Sequence, residues 1–89
     1  MQIKTERDFP ELRKQFQNWK KRFPMFVHDV RQIEKIIENH IVNYSKHLVE
    51  YRRTHSKTYL EYAQTEINEI NRVLQLVGNM ELMAMLSQG

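Results

Sequence analysis

Apolar residues recur at Phe9, Leu12, Phe16, Trp19 and Phe23, in steps of 3, 4, 3 and 4. Side chains three and four residues apart share one face of an α-helix, so this is a helical stripe. The opposite face carries Arg13, Lys14, Gln17, Lys20 and Lys21. Asp8 can accept from the free N–H groups of the first turn, Pro10 tolerates a helix start, and Glu11 has capping-box spacing. Pro24 disfavours a helical residue before it. The pattern predicts a first helix over 8–22.

The next stretch has no glycine and no further proline. With Phe23 as the first position of a heptad, Phe23, Phe26, Val30, Ile33, Ile37, His40, Tyr44, His47 and Tyr51 fall on successive a and d sites. Val27, Ile36, Ile41 and Leu48 flank them, so the stripe is wider than a two-stranded coiled-coil seam. It reads as a bundle helix over 25–53 with neighbours on two sides. At ~1.5 Å per residue such a helix is about 42 Å long.

Thr54-His55-Ser56-Lys57-Thr58 are poor helix-interior residues, and Thr58 with Glu61 has capping-box spacing. They predict a turn, with one unbroken helix from 25 to 77 as the competing reading. Leu60, Ala63, Ile67, Ile70, Leu74 and Val77 then form a third stripe, predicting a helix over 58–77. Gly78-Asn79 reads as a stop followed by a new cap. A short apolar helix over 79–87 follows. The alternative is a Gly78 tolerated within one continuous helix. The expectation is an all-α helical bundle, with residues 1–89 as one helical domain.

Composition narrows the class. The 89-residue chain has no cysteine, two glycines and two prolines, which excludes disulfide frameworks and turn-rich β architectures. Its net charge is +3, unevenly spread. Residues 1–35 hold nine basic and five acidic side chains; residues 63–89 hold one and three. There is no 18-residue apolar run and no secretory-type N-terminus, so a soluble intracellular protein is the default expectation.

Candidate chemistry is sparse. His40, Tyr44, His47, Tyr51 and His55 share a helix face, yet His40 and His47 lie about 10 Å apart along it, too far for one zinc ion. They are expected to pack at the edge of the core, with at least one histidine held neutral there. No serine, histidine and carboxylate are spaced as a catalytic constellation, and no cofactor or metal is expected. The basic first helix is the nucleic-acid candidate: Arg13, Lys14, Lys20, Lys21 and Arg22 could neutralise phosphates and Trp19 could stack on a base. Membrane binding by this helix is the weaker reading. Met80, Leu82, Met83, Met85 and Leu86 form a candidate docking patch for another protein.

The eight-turn stripe of the long helix exceeds what a 15-residue and a 20-residue neighbour cover. That points to a second copy of the chain. The leading expectation is a non-enzymatic assembly module, a homodimer joined through Val30, Ile33, Ile37, Ile41, Tyr44, Leu48 and Tyr51. The rival is a small nucleic-acid-binding accessory protein; a viral accessory protein would suit either role.

Overall fold

The computed structural model describes residues 1–88, and all regular structure among them is helical. Three α-helices follow in order: α1 (Phe9–Arg22), α2 (Val27–Thr54) and α3 (Lys57–Gln88). The all-α bundle expected from the periodicity is the observed architecture. The long helices α2 and α3 pair antiparallel, and α1 lies along the first half of α2, giving a rod of 54 × 18 × 16 Å.

Each junction has a local cause. Pro24 sets a short 3-10 turn, Pro24–Phe26, and α2 starts at Val27 instead of residue 25. Thr54 ends α2, and His55 takes a left-handed conformation (φ 56°) that reverses the chain. The predicted turn is therefore present and the unbroken 25–77 helix is not. The cap predicted at Thr58 is displaced, because α3 already begins at Lys57.

The start of α1 also differs. Asp8 makes no cap bond to α1; its carboxylate accepts from the backbone N–H groups of Lys4 (2.8 Å) and Thr5 (3.2 Å). These bonds, Lys4's foremost, hold its carboxyl below the usual carboxylate range. Thr5 and Asp8 thus form a capping box around a 3-10 turn, Glu6–Asp8, one turn before α1. The turn sends residues 1–5 back across the bundle. Ile3 is buried there, its N–H donating to Asn71 Oδ1 (2.7 Å) and its carbonyl accepting from Asn71 Nδ2 (2.8 Å). The sequence pattern contained no signal for this strap.

The predicted break at Gly78 is absent: α3 runs through it, and the glycine has no positive φ. Glycine inside a helix costs about 1 kcal/mol relative to alanine. Continuing the helix keeps Leu74 and Val77 buried and packs Met80 and Ala84 against the core. Burying even one such side chain outweighs the glycine penalty. A Cβ at Gly78 would meet nothing within 4 Å. Gly78→Ala is therefore expected to stabilise the chain by about 0.5–1 kcal/mol, read as a higher urea midpoint. A lower midpoint would restore Gly78 as a helix stop.

Candidate functional site

The stripe assigned to self-association lies mostly inside the chain. Val30, Ile33, Ile37 and Ile41 are buried against Ile67, Ile70 and Leu74 of α3 and against Leu12 and Phe16 of α1. Tyr44, Leu48 and Tyr51 are half-buried. Phe9 meets Tyr44 edge-on at 5.5 Å, and burial raises the Tyr44 phenol's pKa. The reason for the difference is that two neighbours share the stripe: α3 covers it with Ile67, Ile70 and Leu74, all within the predicted 58–77 span, and α1 covers it with Leu12 and Phe16. The four isoleucine and valine positions are thus unavailable to a second copy of the folded chain.

The histidine face meets a group the pattern did not identify. Glu66, on α3, reaches both imidazoles: Oε2 lies 2.6 Å from His40 Nδ1, and Oε1 lies 3.6 Å from His47 Nε2. The seven-residue gap is bridged by the two oxygens of one carboxylate from the facing helix. The ring of Tyr62 lies 5.5 Å from that of His47. Both histidines are half-buried at the edge of the core, as the spacing suggests, and they form a polar link between α2 and α3 through Glu66. Among the described residues, no group of three His, Asp or Glu side chains is arranged to hold a metal ion. The Ser45 hydroxyl donates back to the Ile41 carbonyl (3.1 Å).

The basic helix is partly neutralised. Arg13 bonds Glu38 through Nε (2.9 Å) and Nη2 (3.2 Å), and Lys20 Nζ lies 2.8 Å from Glu34. The Arg22 guanidinium sits 5.3 Å over the Phe23 ring. Lys14 and Lys21 are exposed. Trp19, the proposed stacking residue, is buried with its ring edge-on to Phe16 at 5.1 Å. A base cannot stack on it without opening the core. This corrects the role given to Trp19 and leaves α1 a diluted cationic face.

Two apolar surfaces remain outside. One is a groove of about 640 Å³ on the outer side of α2, where Ile41, Val42 and Val49 form the floor and Arg13, Glu38, Lys46 and Glu50 the rim. It lies beside the first turns of α1, where Phe9 and Arg13 meet α2 and beyond which α2 continues with α3. The other is the last third of α3. Met80 is half-buried against the core, but Leu82, Met83, Met85 and Leu86 are 57%, 57%, 67% and 73% exposed, and Leu76 is 50% exposed. Leu76 was not marked by the sequence pattern. Its helical position opposite the buried Leu74 and Val77 is the signal that could have found it. Among the described residues, no helix is long and apolar enough to cross a membrane.

No family model, curated protein or solved structure matches this chain.

Proposed function

We propose that this chain is a non-enzymatic assembly module whose function is self-association through the outside of its helical rod. The observation that carries this reading is surplus surface. The chain exposes 6488 Å², whereas a compact monomer of this mass exposes about 5,600 Å². Its radius of gyration is 15.1 Å, against about 12 Å for a compact chain of this length. The surplus, about 900 Å², is close to the ~800 Å² each partner contributes to a standard interface. Part of it is apolar at the end of α3, where five large side chains are half or more exposed. Exposed apolar side chains gathered on one helix face, as Leu76, Met83 and Leu86 are, mark contact sites.

The rival nucleic-acid role rests on Lys14, Lys21 and the unpaired part of the α1 charge. It lacks an accessible stacking aromatic, and that weakens it.

Light scattering coupled to size exclusion tests the proposal over a range of protein concentrations. The expected result is a mass of twice 10.9 kDa at high concentration, falling toward the monomer on dilution, with a melting temperature that rises with concentration. A monomer throughout, with tight salt-sensitive oligonucleotide binding lost in Lys14→Glu with Lys21→Glu, would transfer the function to the nucleic-acid reading.

A further inference from the structure

We infer that the self-association face is the outer side of the last third of α3, and that its occupant is the same face of a second copy, packed antiparallel around residue 81. This deepens the self-association reading and rests on it.

Leu76, Asn79, Met83 and Leu86 fall within one narrow arc of the helix at about 100° per residue, and Leu82 flanks it. All five are exposed, while Leu74, Val77, Met80 and Ala84 face the core. The arc therefore looks away from α2. It is self-complementary. In an antiparallel pair centred at residue 81, Leu76 stands opposite Leu86 of the second copy, and Asn79 stands opposite its Met83. Such a two-fold contact is isologous and closes at a dimer.

Charge separates this face from the other apolar surface. From Val73 to Leu86 the only charged residue is Glu81, half-buried on the inner flank. Two copies therefore meet here without opposing like charges. The α2 groove is rimmed by Arg13, Glu38, Lys46 and Glu50, with Arg13 paired to Glu38, and shares its helix face with exposed Lys35. Pairing it with a second copy would desolvate four charged rim groups on each copy, a cost that the α3 face avoids.

The test uses two double variants and one distance measurement. Leu76→Glu with Leu86→Glu places charge only at exposed positions, so the helical circular dichroism of the single chain is expected to persist. The dimer dissociation constant should rise at least 100-fold, because the symmetric contact would desolvate four carboxylates, two from each copy. Val42→Glu with Val49→Glu should leave it within about threefold. If the groove pair breaks the dimer and the α3 pair does not, self-association stands and this face is wrong. If the wild type never dimerises, both fall.

Should the α3 pair unfold, spin labels decide. The chain has no cysteine, so a single Gln75→Cys or Lys57→Cys carries one label per copy. The antiparallel contact puts labels about 20 Å apart at residue 75 and about 70 Å apart at residue 57. A separation under about 30 Å at residue 57 would overturn the antiparallel arrangement.

Discussion

Ile37→Asp is expected to abolish folding. Ile37 is 1% exposed in the centre of α2, where α1 and α3 both press on it. Aspartate removes a full apolar burial, worth about 2–3 kcal/mol. It also introduces a carboxylate whose desolvation has no offset, since the surrounding cluster is hydrophobic. An unpaired buried charge of this kind costs several kcal/mol more. A chain of this length has about 4–13 kcal/mol of total stability. The variant should show little helical circular dichroism and no cooperative urea transition at neutral pH. Ile37→Val, with one methylene fewer, should fold and lose only about 0.5–1.5 kcal/mol. A well-folded Ile37→Asp with a near-native midpoint would place this residue on a surface.

Phe16→Ala should detach the shortest helix. Phe16 is 1% exposed and supports Trp19 edge-on, so it holds α1 onto the α2–α3 pair. Truncating a buried phenylalanine costs about 3–5 kcal/mol. The ion pairs Arg13–Glu38 and Lys20–Glu34 cannot compensate. The first is about half exposed, and surface pairs contribute about 0–1 kcal/mol each. The contacts of α2 with Ile67, Ile70 and Leu74 do not depend on Phe16 alone, so helicity should fall less than the local signal. The expected result is a red shift of Trp19 fluorescence at urea concentrations where most circular dichroism persists. Coincident transitions with an unchanged midpoint would show that α1 does not depend on this contact.

The two effects differ in kind. Ile37 lies in the buried cluster that all three helices share, so its loss removes the reason for the fold. Phe16 serves one junction, so its loss leaves α2 and α3 each other's surface. Both exceed the expected gain at Gly78, where only backbone freedom changes.

Three stripes of apolar residues were enough to establish an all-α chain, the positions of its helices and most of its core. Helical periodicity is local: Leu12, Phe16 and Trp19 share a face whatever they pack against. Pro24 and the 54–58 segment were legible for the same reason, since each acts on its own backbone. The extent of α3 was not legible. A glycine penalty of about 1 kcal/mol competes with burial against another helix, and only the packed structure decides which is larger. That decision bears on the site, because the longer α3 carries the exposed Leu82, Met83 and Leu86 on its outer end. The contacts of Glu66 with His40 and His47, and of Asn71 with Ile3, join residues 26, 19 and 68 positions apart in the chain. Periodicity contains no term for such pairs. They exist because folding brings one helix's polar flank against another's, and the tertiary structure alone determines which groups meet.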